Sequence, residues 1–339
     1  MIQDNKVITG NYEILLKGNP LDQYLQSITQ EVRVEQEMDS PAMFSIKFNM
    51  GDFSGFTQEK MDLLNGSCKV GDEVTISMGF DSTEKLIVGE VFAIEPNLQE
   101  TISLEIRGYD TLQKLKSLPE QNSENQTFTD KKYSEIASTL AQAAQVSVNA
   151  EDSGKAYPYI LRNNRNYYQF LKDIKPDDYE MLVEDEILYI RKAQPDNASG
   201  LKFEYGVDLH SFSLQVKAPP KGVEVKGLDI KTKKPISAKA MSETQSAFGA
   251  GGGVITVSDE TIIDQEHAET VAKEKCASLS RSLFTGSGKC CGNPQVKIGK
   301  TIEISGVGDV FGGVYYITSA THQISDEGYT TTFKASKKG

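Results

Sequence analysis

Tryptophan is absent from the 339 residues, histidine occurs three times and cysteine four times. Without indole rings the chain lacks the broad stacking surfaces that carbohydrate and cap-type sites use. Cys68, Cys276, Cys290 and Cys291 show no CxxC spacing, and the adjacent pair has no second ligand pair at zinc-like spacing. They read as reduced thiols, and no metal or other cofactor is expected. Basic side chains are in deficit, with 36 Lys and Arg against 48 Asp and Glu and a formal charge of -12. Such a balance repels a phosphate backbone unless basic residues cluster, and apart from a "KTKKPISAK" loop the lysines are scattered. Sequence-specific nucleic-acid binding is therefore not expected. No segment approaches the ~18 apolar residues of a membrane span, so no membrane anchor is expected. The start "MIQDNKVITGNYEILL" lacks the basic region of a signal peptide, and synthesis in a cytoplasm is expected.

What is present is β-sheet patterning on a chain too long for one ordinary core, so two or three domains are expected. In residues 1–117, "VRVEQEMDSPAMFSIKF" reads as a hairpin around Asp39-Ser40-Pro41. "VGDEVTISMGF", "LIVGEVFAIEP" and "TISLEIRGYD" alternate like half-buried strands, and "TQEKMDLLN" is a helical or irregular insertion. Residues 118–200 open with the linker-like "SLPEQNSENQ" and continue as a small α+β module. Its first helix is expected to start with Thr129 as N-cap, Asp130 in the first turn and a Phe128–Tyr133 staple. That helix puts Tyr133, Ile136, Ala137, Leu140 and Ala144 on one face. A second helix carries Tyr167, Phe170, Leu171 and Ile174, and "YEMLVEDEILYIRK" reads as strand, turn, strand. In residues 201–339 strands return in "LKFEY", "SFSLQVK" and "GVEVKGL". A loop-and-helix insertion at about 231–297 holds the lysine loop, the Gly-rich 241–258 stretch and a helix over about 260–284. That helix carries Ala268, Val271, Ala272, Cys276, Leu279 and Leu283 on one face.

The two ends repeat one another. "VGDEVTIS" (70–77) aligns with "IGKTIEIS" (298–305), "VGEVFAIEP" (from 88) with "GGVYYITSA" (from 312), and "TISLEIRGY" with "YTTTFKASK". The hairpin "VRVEQEMDSPAMFSIKF" corresponds to "FSLQVKAPPKGVEVKGL". Such self-similarity predicts a duplicated β domain. The expected fold is mainly β, with two related tube-like β-barrel domains flanking the α+β module.

No set of residues assembles into a catalytic site. His322 is expected on a strand face shared with Val314, Tyr316, Thr318 and Ala320, with Ser319 pointing the other way, so the two form no dyad. There is no GxSxG elbow at Ser319 and no HExxH motif around His267. "GVGDVFGG" (306–313) links two strands and opens no helix, unlike a phosphate loop. Glu184, Asp185 and Glu186 read as a solvated turn. No catalytic, cofactor-binding or metal-binding residue is assigned, and no enzyme activity is expected.

In "SPAMFSIKF", "VGDEVTISMGF", "LIVGEVFAIEP", "EIRGYDTLQKLKS", "TDKKYSEIASTLAQ", "NNRNYYQFLKDI", "HAETVAKEKCASLSRSLFTGSGKCCG" and "GGVYYITSATHQISDEGYTTTF", in that order, the chain resembles the phage late control D family. These are baseplate hub proteins of contractile tails, and the hub part of the valine-glycine-repeat spike proteins of type VI secretion is similar. The resemblance implies a homotrimer whose paired barrels form a pseudo-sixfold ring, joining a hexameric inner tail tube to a trimeric spike. It also implies contacts with baseplate proteins and incorporation into a phage tail, tailocin or injection particle. Because the fused spike proteins continue beyond the hub and this sequence stops at Gly339, the spike is expected to be a separate protein. The family supplies no short motif for tube or spike contacts. A tail-associated cell-wall-degrading enzyme and a siphophage-type tail-tip hub are the alternatives.

Overall fold

Alternation in the first third sends every second side chain inward, and the strands that result wrap one core. The computed structural model describes residues 10–52, 68–117, 126–154, 156–195, 200–218, 220–228, 233–242, 252–258, 262, 264–281 and 283–337. The insertion read in "TQEKMDLLN", nearly all of the linker "SLPEQNSENQ" and half of the Gly-rich 241–258 stretch lie outside the described residues. Strands β1 (Asn11–Leu16), β2 (Asn19–Pro20), β3 (Thr29–Glu37), β4 (Met43–Asp52), β5 (Glu73–Gly79), β6 (Thr83–Leu98) and β7 (Thr101–Tyr109) pair antiparallel. Their order is β3-β4-β7-β6-β5-β1-β2. Ile14, Val32, Phe44, Ile76, Ile87 and Ile106 come from different strands yet share one buried cluster, so the sheet curls into a barrel-like unit.

The middle of the chain is the α+β module. Its strands are β8 (Gln126–Phe128), β9 (Lys131–Lys132), β10 (Ser147–Ala150), β11 (Ala156–Tyr157), β12 (Ile160–Arg162), β13 (Tyr179–Glu184) and β14 (Ile187–Lys192), with helices Tyr133–Ala143 and Tyr167–Asp173. The expected apolar faces of both helices are buried together. The first helix starts later than Thr129, however. Phe128 belongs to β8, Asp130 has a positive φ of 52°, and Lys132 is the N-cap, its backbone N–H donating to Glu135 Oε2 at 2.9 Å. Phe128 is paired with Ile160 of β12, and Lys131 and Lys132 pair with β11, so extended backbone runs up to the helix that starts at Tyr133. β13 and β14 form the expected hairpin, turning at Asp185 and Glu186, both at positive φ, as a two-residue turn requires.

The last part holds β15 (Leu201–Glu204), β16 (Leu209–Val216), β17 (Gly222–Leu228), β18 (Pro235–Met241), β19 (Val254–Ser258), β20 (Phe284–Cys291), β21 (Thr301–Ser305), β22 (Gly313–Ser325) and β23 (Gly328–Lys337). The order β16-β20-β23-β22-β21-β15 repeats the order β3-β4-β7-β6-β5-β1. One difference is that β15 runs parallel to β21 whereas β1 runs antiparallel to β5. Both copies bulge where β6 passes Gly108 and where β22 passes Ala335, and again early in β3 and in β16. The glycines shared by "VGDEVTIS" and "IGKTIEIS" have a physical cause. Gly71 (φ 91°) and Gly299 (φ 73°) both take the left-handed conformation and donate to Val91 O and Ile317 O, which makes Val91 and Ile317 equivalent.

That equivalence corrects the repeat. The counterpart of β4 is β20, not β17, so the second hairpin of the alignment is not a hairpin. β17 instead pairs with β18 and β19 in a separate sheet covered by helix Gln265–Arg281, which is shorter than the expected 260–284. The lysine loop is in part β18. The excursion from the main sheet therefore takes in β17 and ends at β20, rather than spanning 231–297, and it is closed by Lys217 N–H donating to Leu283 O at 2.8 Å. Leu283 packs in the main core, not on the helix face. The alignment of the last strands also slips by one residue. Ile102, Leu104, Ile106 and Gly108 of β7 correspond to Tyr329, Thr331, Phe333 and Ala335 of β23, all of them buried.

β20 was hidden by composition. Where β4 has Phe44 and Ile46, β20 has Gly286 and Gly288, and the space is filled from neighbouring strands by Phe212, Leu209 and Phe333. Copy one reverses the exchange, because Phe44 fills the space over Gly108 where copy two has Ala335. A Cβ at Gly108 would collide with the Phe44 ring and the Glu90 carbonyl oxygen. Gly108→Ala is expected to cost ~1–3 kcal/mol of stability, read as a lower urea midpoint, and an unchanged midpoint would contradict this packing.

Candidate assembly interface

The two β units are not separate sheets. The edge strand β3 pairs antiparallel with β22 from Ser319↔Glu37 to Ile324↔Val32, which makes one continuous sheet of 13 strands among the described residues. Ile324 and Tyr329 accordingly sit in the core of the first unit.

His322 lies at this joint and is fully buried. The bulge between Ile317 and Ser319 shifts the alternation, so His322 faces inward with Ala320 and Ile324. The expected companions Val314 and Thr318 are instead exposed and half-buried, and Tyr316 turns toward the α+β module. Its Nε2 lies 3.0 Å from Val296 O, which only accepts, so Nε2 carries the proton. Nδ1 then accepts, with the Tyr329 and Thr331 hydroxyls each 3.1 Å away. Burial pushes the imidazole down to about 4. Ser319 faces the opposite side, as expected.

The α+β module is clamped to both units. Asp39, at φ 58° in the β3–β4 turn, exchanges bonds with Met181: its N–H donates to Met181 O at 3.0 Å, and Met181 N–H donates to Asp39 Oδ1 at 2.8 Å. Tyr168 OH donates to Asp39 O at 2.7 Å. On the second unit, the Tyr316 hydroxyl lies 2.7 Å from Glu180 Oε2 and 2.8 Å from Oε1, and Arg191 Nε reaches Glu180 Oε1 at 2.9 Å. Burial raises the Glu180 carboxyl, opposed by the bonds from Tyr316 and Arg191. Asp110, pushed up to about 7 by burial, accepts the N–H groups of Ala42 and Leu112 beneath the same turn. Asp185, in the turn read as solvated, reaches Lys85 of the first unit at 2.6 Å.

The remaining residues singled out in the sequence are dispersed. His267 stands in the first turn of helix Gln265–Arg281, its ring 6.5 Å from that of Tyr157. The 306–313 segment connects β21 to β22 with Gly306, Gly308 and Gly313 at positive φ. Burial pushes the Cys290 thiol up to about 12, while Cys291, on the opposite face of β20, lies 3.4 Å from His210. Among the described residues no group of three His, Cys, Asp or Glu is placed to hold a metal, and no helix is long and apolar enough to cross a membrane. What sequence reading missed is the set of open sheet edges. Phe92 and Leu98 in the second half of β6 are 54% and 68% exposed, and beyond the bridge from Leu209 to Tyr205, β16 pairs only with β20 among the described residues.

The family model for the Alg8 N-terminal domain matches residues 6–326. The chain belongs to the Alg8 N-terminal domain family. No curated protein matches the chain in sequence. Among solved structures, the family's fold in this chain is similar to a 43 kDa tail protein of prophage MuSo2 from Shewanella oneidensis, with 14% identity, 96% of this chain and 98% of that chain covered, and a TM-score of 0.72. A tail protein from Neisseria meningitidis is similar at 11% identity, with 98% and 97% of the two chains covered and a TM-score of 0.71. An E. coli component of the type VI secretion system is similar at 11% identity, 96% and 77% coverage and a TM-score of 0.58. At these identities the likeness concerns the fold, which is mainly β as expected.

The His322 geometry carries a pH dependence. The unfolded chain binds a proton near 6.5 and the folded chain only near 4, so stability is full above 6.5 and is lost as pH falls through that window. The stability gap between the native chain and His322→Gln is expected to shrink by up to ~3 kcal/mol from pH 7 to pH 4. Urea titrations at a series of pH values measure it, and a constant gap would contradict the buried neutral imidazole.

Proposed function

We propose that the chain is a structural, non-catalytic hub at the centre of a contractile tail or injection-system baseplate. In this reading it is a homotrimer that joins a hexameric inner tube to a trimeric spike and contacts the surrounding baseplate. The observation that carries the proposal is the repetition of one strand order within one continuous sheet. Three chains with two related units each would present six similar surfaces, so a threefold object could meet a sixfold one. The similar structures support the reading by their own descriptions. Two are tail proteins, and the E. coli component is described as structurally similar to the T4 bacteriophage tail proteins gp27 and gp5. The resemblance to late control D proteins points the same way. A non-catalytic role fits His322, whose two ring nitrogens are both engaged in structural contacts, and Ser319, which faces away from it.

Such a hub is expected to be an obligate assembly burying upwards of ~2,000 Å² between subunits. Native mass spectrometry at micromolar concentration should give a trimer, and electron microscopy with the matching tube protein should show a ring with six-lobed density on one face. A monomer that forms no ring with tube protein would overturn the proposal.

A further inference from the structure

Helix Gln265–Arg281 has two occupied faces. One covers the sheet of β17, β18 and β19 through Ala268, Ala272 and Cys276. The other carries His267, Thr270, Val271 and Glu274, a stripe at i, i+3, i+4 and i+7, and it fronts the α+β module. Between stripe and module lies a cavity of about 290 Å³. Ligand pockets occupy roughly 300 to 1,000 Å³, so the space suits a small molecule and not a folded segment. The module's side of it holds Tyr133, Tyr157 and Tyr179. Asp177 and Asp178 join them from the turn that Tyr179 N–H closes by donating to Pro176 O at 3.0 Å.

The wall carries uncompensated negative charge. Five carboxylates and three lysines line it among the described residues, and every one of those lysines is engaged. Lys275 meets Asp177 at 2.8 Å, Lys192 meets Asp178 Oδ2 at 3.4 Å, and Lys175 donates to Tyr179 O. Glu274 forms no hydrogen bond or ion pair among the described residues, and burial, with Asp178 and Asp177 nearby, raises its carboxyl.

Two wall atoms are also unmatched. Tyr133 is 1% exposed and its hydroxyl has no hydrogen-bond partner among the described residues, and the same holds for the buried Asp178 Oδ1. The other two tyrosines show the difference: Tyr157 OH donates to Ile174 O at 3.1 Å and Tyr179 OH to Asp152 O at 2.6 Å. Buried polar atoms are almost always paired. The wall therefore calls for a cationic donor opposite Asp178 and Glu274 and for a neutral acceptor opposite the Tyr133 O–H.

We infer that the cavity binds a small amino alcohol, its ammonium group held by Asp178 and Glu274, its hydroxyl oxygen accepting from Tyr133 and its carbon stem lying against the tyrosine rings. Aromatic faces add their own attraction for an ammonium ion. Glu274 belongs to the excursion whereas Tyr133 and Asp178 belong to the module, so such a ligand fastens one to the other. The inference stands apart from the hub reading.

Isothermal titration calorimetry of the full chain at low ionic strength tests it. The probes are ethanolamine, aminopropanol and aminobutanol, each compared with the alkylamine, alkanol and alkanoate of the same length. At least one amino alcohol should bind saturably, about threefold or more tighter than its alkylamine, as one added hydrogen bond allows. Glu274→Gln should weaken binding by about tenfold or more, because a bond to a charged group is lost. Tyr133→Phe keeps the ring and removes the unmatched hydroxyl. It should leave the ligand-free urea midpoint unchanged or higher and erase the amino alcohol's advantage over the alkylamine. Glu327→Gln makes the same charge change on the exposed β22–β23 turn and should bind like the native chain. Failure of every amino alcohol to bind overturns the inference, and so does an alkanol or alkanoate that binds equally well. Equal losses in Glu327→Gln and Glu274→Gln overturn it too, because they would reduce the binding to general attraction between a cation and an acidic chain.

Discussion

The pairing of β3 with β22 is the constraint on which the architecture turns. Its backbone bonds turn a tandem duplication into a single object, because an edge strand left open in water is a liability that must be paired or blunted. Once that edge is satisfied, the inward residues Ala320, His322 and Ile324 lie between the two units, and the cores cannot move independently. The buried imidazole there is a connector, with a carbonyl on one nitrogen and hydroxyls near the other.

The α+β module reinforces the joint from one side. Asp39 and Met181 tie it to the first unit through backbone groups, and Glu180 with Tyr316 and Arg191 ties it to the second through a buried carboxylate. Removing one member of such a group strands its partners in a poorly solvated place, which makes the arrangement sensitive to substitution. The three parts of the chain thus meet close to the hairpin turn that the sequence marks with Asp39-Ser40-Pro41.

Much of this could be read from the chain alone, and the misses have definite causes. Strand alternation revealed β3 to β7 and β21 to β23, and the paired Gly71 and Gly299 exposed the repeat because a left-handed turn needs them. β20 was unreadable as a strand since its core volume is supplied by Phe212 and Phe333 on its neighbours, leaving Gly286 and Gly288 in a stretch that looks like a loop. The face carrying His322 was misjudged because one extra residue at a bulge resets the alternation. Which edges stay open was not legible at all, since that depends on pairing across the fold.

The excursion that carries β17, β18, β19 and the long helix leaves the sheet after β16 and rejoins it at β20, its two ends held side by side by the bond from Lys217 to Leu283. A segment with adjoining ends imposes no span on the scaffold that bears it. Evolution, or a protein engineer, is therefore free to lengthen, exchange or graft cargo at that point without redrawing the ladder on either side.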